Sequence, residues 1–188
     1  MLRTALVAVA FFAAAPARAE PDYSRVLDVE TVSTTDEPDM GRAVLVDNGD
    51  AGADLYIYLS SEAASDPARP QRPALVKKDA AWNGRLSGSR PSLETNARGA
   101  LLVRSESTAI GRNKWMQTLT VVYRNKEFIV AGLTRDAYDS LEPGSEHHCD
   151  LNLLTGKGKK DGRPVEVKFP AKKLSEWSDG DLPKECAF

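Results

Sequence analysis

From Arg163 to Phe169 the chain alternates strictly. Val165, Val167 and Phe169 fall on one side, and Glu166 and Lys168 on the other. A period of two describes a strand with one buried face. Cys149, Leu151 and Leu153 alternate with Asp150 and Asn152 in the same way. Between these runs lies Gly156-Lys-Gly-Lys-Lys-Asp-Gly162, whose chemistry is that of a turn throughout. The two runs are therefore expected to form a hairpin closed by that turn. A longer hairpin precedes it. Trp115, Leu119, Val121 and Tyr123 share a face, with Gln117 as the polar exception, and the return arm runs from Glu127 to about Thr134. Asn125-Lys126 is left as a two-residue turn. β-branched and aromatic residues fill both arms, as suits a pleated surface.

Six further strands are expected at Val26 to Val32, Arg42 to Val46, Asp54 to Leu59, Ala74 to Lys78, Ser92 to Asn96 and Ala100 to Glu106. Turn signals separate them: Asn48-Gly49, Asn83-Gly84, Ala97-Arg98-Gly99 and Gly111. Ser60 to Pro73, with three prolines, reads as a long loop. Ala171 to Trp177 predicts two helical turns with Leu174 and Trp177 on one face; no other helix is supported. The pattern predicts an all-β fold, a single-domain antiparallel sandwich or barrel of roughly 8–10 strands with at most one short C-terminal helix.

The N-terminus is patterned differently. Arg3 precedes an unbroken apolar run from Ala5 to Ala15, and Ala17-Arg18-Ala19 places small residues around a cleavage point. This is the order of a secretory signal peptide over residues 1–19, leaving residues 20–188 as the single all-β domain. The apolar stretch is too short to span a bilayer, which takes roughly 20 residues, and no later segment is long and apolar enough. Cleavage would leave no transmembrane segment. The cleavage point carries no Cys for lipid attachment, and no Arg-Arg pair precedes the apolar run. The chain is expected to be periplasmic or secreted.

Export changes how charge and cysteine are read. Taking Arg3 and Arg18 from the 25 basic residues leaves 23 against 27 acidic ones, a formal net charge of −4. That balance argues against a nucleic-acid partner, which calls for a basic excess. The two cysteines, Cys149 and Cys186, are expected to pair as a disulfide in an oxidising compartment. The loop-entropy model assigns such a closure about 4 kcal/mol. Their wide spacing argues against a metal pair. None of the six Asn residues lies in an Asn-x-Ser/Thr acceptor.

A block of residues resembles exported proteins of Gram-negative, rhizobia-like bacteria: Ser105-Glu106, Ile110-Gly111-Arg112, Trp115, Gln117 to Thr120, Tyr123-Arg124, Val130-Ala-Gly132 and Cys149 to Lys157. The resemblance covers the middle and the C-terminal half. It implies a periplasmic β protein and carries no activity or catalytic residue with it. Asn48-Gly-Asp50-Ala-Gly-Ala-Asp54-Leu55 resembles the calcium loop of FG-GAP propeller repeats. Asn48, Asp50 and Asp54 are the metal candidates, because oxygen ligands at alternate positions of a tight turn suit Ca²⁺. Two positions depart from that pattern: Val46 stands where the first Asp belongs, and Ala51 replaces the second Gly. A plain loop between two strands accounts for the same residues, and no other cofactor is implied.

Other clusters are weaker. Glu146-His147-His148-Cys149-Asp150 concentrates potential ligands, but adjacent residues of an extended segment point to opposite faces. Thr155 to Lys160 has the wrong order for a phosphate loop. Lys157, Lys159, Lys160 and Arg163 nevertheless form a basic hairpin tip that could meet an acidic partner or anionic lipopolysaccharide. Trp82 is the best candidate to stack on a sugar; Trp115 reads as core. No Gly-x-Ser-x-Gly elbow is present, and acid pairs such as Asp136 and Asp139 cannot be ranked from sequence. The expectation is a monomeric, non-catalytic exported β domain that binds an envelope component or a protein partner. The alternatives are an inhibitor-like module using the 157–163 tip and a carboxylate-dependent hydrolase of envelope material.

Overall fold

The computed structural model describes residues 23–34, 41–59, 72–85 and 89–188. The signal-peptide segment and most of the expected Ser60–Pro73 loop lie outside the described residues. Two antiparallel sheets are present. The first has four strands in the order β1 (Val26–Val32), β2 (Gly41–Asp47), β3 (Gly52–Tyr58) and β4 (Leu75–Trp82). The second has seven. From one edge to the other these are β5 (Ser92–Thr95), β6 (Leu101–Ser107), β7 (Asn113–Arg124), β8 (Glu127–Asp139), β9 (His147–Asn152), β10 (Lys157–Lys160) and β11 (Arg163–Glu166). The sheets stay open at their edges and face one another, so the sandwich is realised and the barrel is not.

The inner faces follow from the alternation. Leu93, Val103, Leu119, Leu133 and Leu151 are register partners in sequence across the seven-stranded sheet. All five are buried, as are Ala43, Leu45, Leu55 and Ile57 of the facing sheet. One hydrophobic cluster includes residues of both sheets. β1 lies against β5, where Asp28 accepts a hydrogen bond from the Leu93 amide at 2.7 Å and the Thr95 hydroxyl donates to the Thr31 carbonyl at 2.5 Å. Asn125 and Lys126 have φ of 53° and 62°, the left-handed pair that a two-residue type I′ hairpin needs.

Two expectations are corrected. The segment read as a turn between β9 and Arg163 contains a strand. β10 pairs with β9 on one side and β11 on the other, so β9 and β11 do not form a hairpin with each other. This adds one strand to the ten expected. Ladder bonds are made by the backbone, and four residues of Lys and Gly carry no apolar signal for them. Gly158 sits where a Cβ would lie 2.1 Å from the Asp150 carbonyl oxygen and 2.7 Å from a Leu151 methyl, so glycine is what lets β10 close on β9. The C-terminal helix is also shorter than expected: a single 3₁₀ turn, Leu174–Glu176. The chain before it is extended, since Lys172 accepts from the Val130 amide and Lys173 bridges to Ile129. Leu174 and Trp177 are still both buried, because residues three apart eclipse in a 3₁₀ turn.

A disulfide joins Cys149 and Cys186, with Cα atoms 5.4 Å apart. It ties the C-terminal segment to β9, and both cysteines are fully buried.

Candidate functional site, a pocket at a β-bulge on an apolar sheet face

Alternation also sets the outer face of the four-stranded sheet. Because Ala43, Leu45, Leu55 and Ile57 point inward, Val44 and Tyr56 point outward. Val29 pairs with Val44, Val44 with Tyr56, and Tyr56 with Val76. One apolar row therefore crosses all four strands on the outside. At its two ends Val29 is 52% exposed and Val76 42%. Val26 and Val46, themselves partners, extend it along the strands.

At one end of this row β3 and β4 fall out of step. Ala53 pairs with Ala81 and Leu55 with Lys77, so Asp54 alone faces Lys78, Asp79 and Ala80. Such a bulge bends the strand and redirects side chains. Asp79 absorbs the bend in a left-handed conformation, φ 49°, which Asp tolerates better than most residues. Its Oδ1 then accepts from Asn48 Nδ2 at 2.7 Å. Gly52 makes room for this contact, since a Cβ there would lie 2.4 Å from the Asp79 oxygen.

Asp54 is only 4% exposed and its two oxygens are satisfied separately. Oδ2 accepts from Lys78 Nζ at 2.5 Å, and Oδ1 accepts from the Asp79 amide at 3.1 Å. Burial pushes its pKa up, but the Lys78 ammonium, the Asp79 amide and Asn48 together outweigh it, so the carboxyl titrates below the ordinary value. The same contact raises Lys78, which also lies 5.8 Å from the Tyr56 ring centroid. The result is a pocket of about 380 Å³ lined by Arg25, Val46, Asn48, Asp50, Asp54, Tyr56, Lys78 and Asp79.

The three metal candidates, Asn48, Asp50 and Asp54, thus share one pocket. Asn48 to Ala51 is a tight turn in which Asn48 Oδ1 accepts from the Asp50 amide at 3.0 Å. Asp54 Oδ2 is held by the Lys78 ammonium. Among the described residues no group of three or more His, Cys, Asp or Glu side chains is arranged to hold a metal ion. Arg25, Val46, Tyr56, Lys78 and Asp79 are the lining residues that the sequence reading did not offer as site candidates.

The remaining candidates are dispersed. His147 Nδ1 lies 3.2 Å from Asp161 and its ring packs on Phe188, while His148 Nδ1 lies 2.6 Å from Asp136. The adjacent histidines diverge, as an extended strand requires. The basic tip is divided in the same way. Lys157 and Lys159 alternate with Gly158 and Lys160, and Lys160 turns inward to within 5.4 Å of the Phe188 ring; Arg163 is its register partner. Trp82 packs on Trp115 with centroids 5.7 Å apart, and Arg135 covers Trp115 at 5.1 Å while donating to Gln117 at 2.9 Å. That donor explains the buried polar exception on β7. A second concavity of about 290 Å³ on the outer face of the seven-stranded sheet includes Arg104, Thr118 and Asp136. There Arg104 is paired with Glu94 at 2.6 Å and Asp136 with His148.

Fold and site define an antiparallel β-sandwich with a charged pocket at the end of an exposed apolar row. The chain matches no protein-family model, no curated protein and no solved structure.

Proposed function

We propose that the protein is an exported, non-catalytic binding module of the cell envelope, monomeric on its own. Its working surface is the outer face of the four-stranded sheet. The observation that carries this reading is the row Val29, Val44, Tyr56 and Val76, which runs in register across every strand of that sheet and meets no other part of the described core. Exposed contiguous apolar surface marks an interaction site more often than it serves a fold. The leader-like N-terminus supports export, and a buried disulfide suits an oxidising compartment. Among the pocket carboxylates, Asp54 supports binding over a general-acid role. A general acid needs a raised pKa, and Asp54 is held the other way by Lys78 and the Asp79 amide. No cofactor is needed for this role.

The test is site-specific photo-cross-linking in the exporting cell. A photo-reactive residue at Val44 should give a discrete higher-mass adduct, and one at Thr118, on the opposite outer face, should not. Equal labelling from both positions, or labelling from Thr118 alone, would refute the assignment of the face.

A further inference from the structure

Resting on that reading of the face, we infer that its occupant is a short segment of a partner protein that inserts a Lys or Arg side chain into the bulge pocket and lays aliphatic side chains along the neighbouring row. Charge complementarity selects the basic residue. Of the lining groups, Lys78 is committed to Asp54, and both Arg25 Nε and Nη2 donate to the Asp47 carbonyl oxygen. Asp79 uses one oxygen on Asn48, and Asp50 uses only its amide, toward Asn48. The acceptors left facing the pocket are thus the Asp50 carboxylate and the second Asp79 oxygen, and the three carboxylates of the lining, Asp50, Asp54 and Asp79, outnumber its two cations, Arg25 and Lys78. Val46 and Tyr56 form the apolar wall. A long side chain with a methylene stem and a cationic head matches that arrangement from end to end. Tyr56 already lies beside one cation, that of Lys78.

The size of the patch selects a segment over a second copy. Four strands about 4.8 Å apart span about 14 Å, and five residues along a strand span about 13 Å. That is on the order of 200 Å², whereas each side of a stable protein interface covers about 800 Å². A few residues of extended or helical chain are what such a patch can hold.

The experiment pans a random-peptide display library against the purified mature protein and against two variants, Asp50→Asn/Asp79→Asn and Val76→Asp. Asn at position 79 accepts the left-handed backbone and keeps the Asn48 contact, so melting curves should show the double variant folded. The inference expects enrichment of peptides with Lys or Arg beside aliphatic residues. It expects the double variant to weaken those peptides by about tenfold, the loss of a charge-assisted contact, with Val76→Asp removing binding altogether. Peptides enriched without a basic residue, bound equally by the double variant but lost with Val76→Asp, would overturn the inference and leave the binding face standing. Failure to select any peptide, with Val44 cross-linking instead to vesicle lipid or to a second copy in sedimentation-matched samples, would overturn the inference by naming another occupant. Peptides whose binding ignores Val76→Asp would overturn both.

Discussion

The two outer faces of this sandwich are built by the same alternation and carry opposite chemistry. Across the seven-stranded sheet, one register row reads Ser92, Arg104, Thr118, Thr134, Asp150 and Lys159. The next reads Glu106, Met116, Asp136 and His148. Apart from Met116 these are groups that water solvates, paired in places: Thr134 donates to Asp150 at 3.3 Å and His148 meets Asp136. Across the four-stranded sheet the corresponding row is Val29, Val44, Tyr56 and Val76. Folding requires only that inner faces be apolar, and both are. The polar outer face is what an antiparallel sheet facing water ordinarily presents. The apolar one is not required by the fold, which is why we propose that it serves a partner. The contrast also separates two kinds of charged cluster. On the polar face the pairs are open to solvent, where they contribute little. At the bulge, Asp54 is buried and its loss has to be felt.

The largest expected effect sharpens the inner-outer distinction on a single strand. Leu45 is fully buried and its neighbour Val44 points outward. Leu45→Ala should cost about 2–5 kcal/mol, the transfer and cavity terms together. Val44→Ala should cost less than about 1 kcal/mol in urea titrations of the free protein. Equal losses would mean that the outer row is packed against something and belongs to the core.

Next in size is the bulge. Asp54→Ala leaves the Asp79 amide without its acceptor and Lys78 without its partner. A loss of about 1–3 kcal/mol is expected, toward the lower end because Lys78 itself is open to water and screened. The sign with pH follows from the depressed titration of Asp54. Its contribution is fully present above the unfolded carboxylate value, about 4, and is lost as pH falls through the lower folded value. The difference between wild type and Asp54→Ala should therefore hold at neutral pH and close in acid. A gap that persists or widens below the folded titration would show that the carboxylate is not what stabilises the bulge.

These predictions rest on features that differ in how visible they were beforehand. Strand β1 and the Asn125-Lys126 turn could be read from residue type, because alternation and positive-φ tolerance are properties of single positions. The disulfide could be read from the leader-like N-terminus and an even cysteine count. β10 could not, since its ladder bonds belong to backbone and its side chains are those of a turn. The first two residues of β7, Asn113 and Lys114, and the end of β8 from Arg135 to Asp139 lie beyond the expected arms for a related reason. They are closed by an Arg112–Asp139 ion pair and by alternating polar residues. Half the candidate site was legible: the Asn48-Asp50-Asp54 spacing marks a polar turn. The other half depends on register. Lys78 lies 24 residues beyond Asp54, and the apolar row exists only once four strands have been set side by side. No single strand announces it.

The smallest effect tests the turn between β7 and β8. Lys126 holds φ 62° with a Cβ. Lys126→Gly should raise stability by about 0.5 kcal/mol, after the greater unfolded-state entropy of Gly is set against the relief. Lys126→Val should lower it, since a β-branched residue fits positive φ worst. Denaturation midpoints of the three proteins decide it, and the reverse order would mean that the turn carries no left-handed strain.

The central claim is that the apolar row serves a partner and not the fold, and one doubly substituted protein tests it. Val29→Lys with Val76→Lys places a charge at each exposed end of the row. The account predicts stability within about 0.5 kcal/mol of wild type for each change, as at other solvent-facing positions, together with loss of the cross-linked adduct formed from a photo-reactive residue at Val44. A protein that unfolds, or one that folds and still yields the adduct at full strength, would contradict it.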